Sequence, residues 1–174
     1  SREQALALHE HLVDAVDEVD RVLRTEDIDA DFAKGGTVTL IRSQAQADRA
    51  AEELATAEGF GLTPHHTRSL DAAQALQQLN ATEVQGALFT PDCAAIHPAK
   101  LVRGLALAVE RLGGIIYEHS PVIDVKPGAV EGQDFTVRAP VVVRTTEGYT
   151  PSLRSFKRQL TPIYSLVTAT EPIP

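Results

Sequence analysis

Residues 98–117 read Pro98-Ala99-Lys100-Leu101-Val102-Arg103-Gly104-Leu105-Ala106-Leu107-Ala108-Val109-Glu110-Arg111-Leu112-Gly113-Gly114-Ile115-Ile116-Tyr117. The stretch predicts a helix that runs straight into a strand. Pro98 stands at the first helical position, where its fixed φ and missing N–H cost nothing. Leu101, Leu105, Ala108 and Leu112 make one apolar line, with Val102 and Val109 beside it. Gly113-Gly114 supplies the stop, and Ile115-Ile116-Tyr117 has the β-branched and aromatic character of a strand.

Working outward towards the C-terminus, His119-Ser120-Pro121 is a turn and Val122-Ile123-Asp124-Val125 a further strand. Pro127-Gly128 is a turn within a meander. Phe135-Thr136-Val137-Arg138 and Val141-Val142-Val143 read as strands split by Pro140, and Ile163 to Thr170 alternates like a last strand. Working back, Leu8, Leu12, Val16, Val19 and Leu23 place one apolar stripe on a helix over 4–24. A polar turn from Thr25 to Asp31 precedes Gly35-Gly36 and a strand, Thr37 to Ile41. Ser43 is a good N-cap for a helix over 44–58, ended by Gly59 and Gly61. Thr63 to Arg68 is a loop, followed by a short helix from Ser69 or Leu70 to Leu79 and a strand from Val84 to Phe89. The best boundary is the loop at 90–96. This order of helices and strands is that of an α+β (mixed α/β) protein with mixed sheets.

The length, 174 residues, accommodates one domain and makes three unexpected. Hydrophobic content of 43% with 23% charged residues excludes disordered and fibrous classes. A net charge of −8 excludes a nucleic-acid binder that works through phosphate contacts. Ten acids against three arginines give residues 1–31 a charge of −7, so nearly all of the excess sits there. A basic segment, Arg138, Arg144, Arg154, Lys157 and Arg158, lies near the other end. Both read as solvated faces, with an anion or acidic neighbour as the sharper alternative for the basic one. One Cys excludes an internal disulfide and points to a reducing cytoplasmic compartment. No apolar run is long enough for a membrane span, and the first residues do not resemble a signal peptide. The chain has no Met and starts at Ser1, which suits a segment of something longer.

Generic motifs are scarce. There is no G-x-G-x-x-G, no P-loop and no G-x-S-x-G. His65-His66 has no Cys or carboxylate at ligand spacing, so an exposed loop outweighs a metal site. Cys93 with His97 four residues on is a nucleophile–base pair at long odds, the bland reading being a small buried thiol. No metal site and no catalytic residue is assigned.

The order and spacing of several soft motifs carry a resemblance. Residues 92–149 look like the middle of the FAD-dependent oxidoreductases of the D-amino-acid oxidase type, which include glycine and sarcosine oxidases and γ-glutamylputrescine oxidases. The matching pieces are Ile96-His97-Pro98 to Ala106, Leu112 to Glu118, Ser120 to Val125, and Ala139-Pro140-Val141-Val142-Val143-Arg144-Thr145-Thr146-Glu147-Gly148-Tyr149. Glu26 to Phe32 with Gly35 to Val38 looks like the entry to that family's substrate domain, and Leu160 to Pro172 resembles the return into it.

The resemblance implies a substrate-domain mixed sheet with helices (1–91, with a return strand in 160–174) and an incomplete portion of an FAD-binding α/β domain (92–159). It implies an enzyme that moves a hydride from a C–N bond of an amine or amino acid to FAD. It implies that the backbone of Val122 contacts adenine, and that Thr146 and Gly148 lie near the phosphate and ribityl region. Arg144 and Glu147 depart from the family pattern there. Without a Gly-rich pyrophosphate turn, these residues alone are expected to hold FAD weakly or not at all. Exposed sheet edges predict a homodimer or strand exchange. The rival readings are a non-enzymatic α/β module that binds a partner through helix 4–24, and a flavin dehydrogenase of a hydroxy acid or glycerol phosphate.

Overall fold

The computed structural model describes residues 1–168 and 171. It falls into two compact units, Ser1–Ile115 and Ile116–Pro174. Helices and strands are interspersed as expected for an α+β chain. The expected mixed sheet is antiparallel in every pairing among the described residues.

The first unit opens with helix α1 (Arg2–Thr25). Ser1 and Gln4 form a capping box: the Ser1 hydroxyl accepts the Gln4 N–H at 3.3 Å, and the Gln4 side chain accepts from the terminal amine at 2.9 Å. Strand β1 (Ala33–Lys34) precedes β2 (Thr37–Ile41). Helix α2 (Gln44–Phe60) starts at the expected Ser43 cap and ends at Gly61, whose φ of 93° is the left-handed stop that glycine adopts freely. Strand β3 (Arg68–Asp71), helix α3 (Ala72–Gln78), β4 (Gly86–Thr90), β5 (Ala94–Ala95) and helix α4 (Pro98–Arg111) follow.

Strand β4 lies between β2 and β3 in a three-stranded sheet. One buried cluster, Ile41, Ala50 and Leu88, joins α2 to the sheet. A second, Leu70, Ala75 and Ala87, joins α3 to it, and both alanines are fully inaccessible. β1 pairs with β5, Ala33 opposite Ala95. The loop 90–96 is therefore tied down inside the first unit and is no boundary between compact units. β3 occupies positions read as loop and helix start. Its four residues carry a single apolar side chain, Leu70, too weak a pattern to announce a strand.

The small face of α4 packs on the 28–30 segment. The His97 backbone N–H donates to the Ala30 carbonyl at 2.8 Å, and Ala30 and Ala108 are buried. A Cβ on Gly104 would collide with the Ile28 side chain. Among the described residues the other face of α4 is uncovered: Val102 and Leu112 are 64% and 77% exposed, with Leu105 and Val109 between them.

The second unit is a meander of β6 (Val122–Lys126), β7 (Ala129–Gly132) and β8 (Thr136–Arg138), then two 3-10 helices, Glu147–Ser152 and Arg154–Phe156. Three expected strands are corrected. Ile115–Tyr117, Val141–Val143 and the described part of the last strand, 163–168, have no strand assignment, and Val141, Val143 and Leu166 are 75%, 77% and 98% exposed. Ala169 and Thr170 lie outside the described residues. The side chains have strand character, but a strand exists by its ladder, and no neighbouring strand pairs with these runs among the described residues.

Gly104→Ala gains about 1 kcal/mol of helix propensity but forces a methyl group onto Ile28, an overpacking cost of roughly 1–3 kcal/mol. We expect a net loss in the urea unfolding midpoint, recovered when Ile28→Ala is added.

Candidate functional site

The sequence-derived site residues lie in the second unit. Val122 opens β6, pairs with Gly132 and is half-exposed. β6 is an outer strand of its sheet, so among the described residues alternate backbone N–H and C=O groups point away from β7 with no partner strand. The register slips between Val122 and Asp124, a bulge that sets two β6 residues against one on β7. A free backbone edge of this kind suits recognition of a planar nucleobase by main-chain atoms.

Thr146, Glu147 and Gly148 sit where the chain enters the first 3-10 helix. The Thr146 and Thr150 hydroxyls are 2.9 Å apart, and Thr150, which is buried, accepts from Arg144 Nη1 at 2.9 Å. Arg144 donates to Gln159 at 3.2 Å and its guanidinium lies 4.5 Å from the Phe156 ring centre. Arg144 is thus committed within the unit. Glu147 has a φ of 38°, in the left-handed region, and its carboxylate accepts the Gly148 N–H. A Cβ on Gly148 would meet nothing.

These facts bear on FAD. The edge of β6 fits a neutral ring. The 146–148 turn does not fit a phosphate as it stands, because a carboxylate already holds the amide a phosphate would need. The Thr146 hydroxyl fits a polyol.

One residue beside these has only a faint signal in the sequence. In Val-Ile-Asp-Val-Lys, strand alternation sends Ile123 and Val125 inward and Asp124 outward. Asp124 is instead the buried position of β6, at 3% exposure. Its carboxylate accepts from Ser155 Oγ at 2.7 Å, from the Ser155 N–H at 3.2 Å and from the Val125 N–H at 3.0 Å. The Ser155 hydroxyl, above all, holds the Asp124 carboxyl below its ordinary range. An aspartate inside a β-branched run is an uncommon choice for a strand, the one hint available, but its partner lies 31 residues away.

The other sequence candidates do not assemble. His97 Nδ1 accepts the Lys100 N–H at 3.4 Å as the N-cap of α4, so Cys93 gains no base from it. His66 Nδ1 accepts the Thr63 N–H at 3.1 Å. Among the described residues no group of three or more His, Cys, Asp or Glu could hold a metal ion. The acidic N-terminal segment is partly neutralised by its own unit: Lys34 reaches Asp17 at 2.5 Å, Lys100 reaches Asp31 at 2.7 Å and Asp29 at 3.5 Å, and Arg111 reaches Glu26 at 2.5 Å. Among the described residues no helix is long and apolar enough to cross a membrane.

A profile of the FAD dependent oxidoreductase family matches residues 1–174. The chain belongs to that family, whose members use FAD. It is similar to the probable oxidoreductase OrdL of Haemophilus influenzae, 27% identical over 172 residues, covering 92% of this chain and 39% of the relative. Among solved structures, glycine oxidase from Geobacillus kaustophilus has a TM-score of 0.64 at 21% identity, covering 90% of this chain and 40% of its own. L-Proline dehydrogenase from P. horikoshii has a TM-score of 0.65 at 14% identity, covering 83% and 40%. The chain therefore spans about two fifths of the length of these relatives.

The left-handed Glu147 has a direct test. Glu147→Gly removes the Cβ clash of that conformation, which costs roughly 1–2 kcal/mol for an ordinary residue. We expect the variant to unfold at higher urea, by about 1 kcal/mol, with unchanged circular dichroism.

Proposed function

We propose that this chain is the central part of an FAD-dependent oxidoreductase that oxidises the C–N bond of an amine or amino acid. The observation that carries the reading is the family match over residues 1–174. The amino-acid class draws on the two structural relatives, which by name act on glycine and L-proline. FAD, when bound, would supply the two-electron acceptor for hydride from the C–N carbon, and the resulting imine would be hydrolysed by water.

The chain's own part is to bind and orient. Val122 would meet the adenine through its backbone, and Thr146 and Gly148 would face the ribityl chain. Residues 1–91 and 160–174 would belong to the substrate domain and 92–159 to the FAD domain. In that arrangement the bare face of α4, Val102 to Leu112, is covered by the rest of the FAD domain, and the runs 141–143 and 163–167 find their strand neighbours. The exposure of these apolar groups supports a covering layer supplied from outside these residues. The single cysteine supports a cytoplasmic site of action.

The test uses the product of the complete reading frame that encodes this chain. We expect it to purify with FAD and its flavin absorbance to bleach anaerobically on addition of an amino acid or amine. Bleaching by hydroxy acids or glycerol phosphate, and not by amines, would replace this chemistry with the alternative dehydrogenase. A frame confined to these 174 residues, with no flavin bound, would sink the oxidoreductase reading.

We further propose that the 174 residues on their own pair through their uncovered edges into a homodimer. Light scattering at high concentration should give about twice the monomer mass of 18.7 kDa; a monomer would overturn this.

A further inference from the structure

We infer that Asp124 is a positioning residue for the flavin site: its buried carboxylate fixes the 146–156 segment against the strand that carries Val122. The inference rests on the reading above. Two pins hold that segment. At its near end Thr150, 2% exposed, ties Arg144 to Thr146 through its hydroxyl. At its far end Ser155 gives both its hydroxyl and its backbone N–H to Asp124. Leu153, 2% exposed, lies between the two 3-10 helices and is their apolar anchor.

Asp124 is two residues from Val122, across the bulge. The same carboxylate also accepts the Val125 N–H. One side chain therefore sets the path of β6 next to the expected adenine contact and the path of the turn next to the expected ribityl contact. A carboxylate oxygen accepting several N–H and O–H groups is directional and charge-assisted. An apolar residue at position 124 could bury equal area, yet it would leave the spacing of the two contacts unspecified. A ligand that bridges both contacts loses affinity when their separation loosens, because it must then order the segment itself.

The experiment uses the complete reading frame and three substitutions: Ser155→Ala, Ser155→Thr and Asp124→Asn. FAD dissociation constants are measured by flavin fluorescence, and apoprotein unfolding midpoints in urea are measured in parallel. We expect Ser155→Ala to raise the FAD dissociation constant about tenfold while moving the apoprotein midpoint little. We expect Ser155→Thr, which keeps the hydroxyl, to restore it, and Asp124→Asn to weaken FAD further. If the wild-type protein binds FAD and all three variants bind it equally well, the positioning role is overturned and the flavin reading stands. If affinity falls only in step with the unfolding midpoint, the contact is merely structural and the role is likewise overturned. If the wild-type protein binds no FAD, the functional reading itself fails.

Discussion

The first unit depends on the two-sided pairing of one short strand. Gly86 to Thr90 is bonded along one edge to Thr37–Ile41 and along the other to Arg68–Asp71. Every buried cluster of this sheet includes a β4 side chain: Leu88 for α2, Ala87 for α3. The small size of Ala87 and Ala75, both fully inaccessible, lets α3 approach closely. At the start of the strand the backbone itself is tight, since a Cβ on Gly86 would lie 2.8 Å from the Leu70 carbonyl oxygen. Neither flanking strand could be held without β4, because a lone short strand has no ladder to satisfy its amides.

Where an element's evidence lies inside its own residues, the sequence is easy to read. Helix α4 has Pro98 at its start, a period of three to four in its leucines and Gly113 at φ 89° at its end, and the expected span matches. Thr37–Ile41 was legible through its β-branched run and the glycines before it. Where the evidence lies in a partner, reading fails in both directions. Val141-Val142-Val143 has strand composition and pairs with nothing among the described residues. Ala94-Ala95 has no strand composition and pairs because Ala33-Lys34 happens to face it. Propensity gives a willingness to pair, and topology decides whether pairing occurs.

The charge pattern behaves the same way. Summed over residues 1–31, the acids suggest a face offered to a partner. Their actual neighbours include Lys34, Lys100 and Arg111, from three separate parts of the same unit. Lys100 lowers the carboxyl of Asp31 chiefly through the hydrogen bond between them, and Asp31 raises the ammonium of Lys100 in return. These are exposed pairs, so they are screened by salt and fix register more than stability. Counted along the chain they are an excess; in space Lys34, Lys100 and Arg111 answer part of it.

The candidate site is read from a resemblance, for a related reason. Val122, Thr146 and Gly148 could be named because a family pattern runs through them, and the pattern is one of backbone contacts and small residues. What organises them cannot be named that way. Asp124 looks like a surface residue by alternation, and the bulge beside it, which faces Gly132 on β7, upsets that alternation. Its three donors come from Val125 and, through two atoms, from Ser155. A buried carboxylate is tolerated when its lone pairs are filled, and here they are filled by a segment that has no regular strand or α-helix of its own. The polar pin therefore substitutes for a ladder. It lets an irregular stretch beginning at Thr146 keep a defined course beside β6.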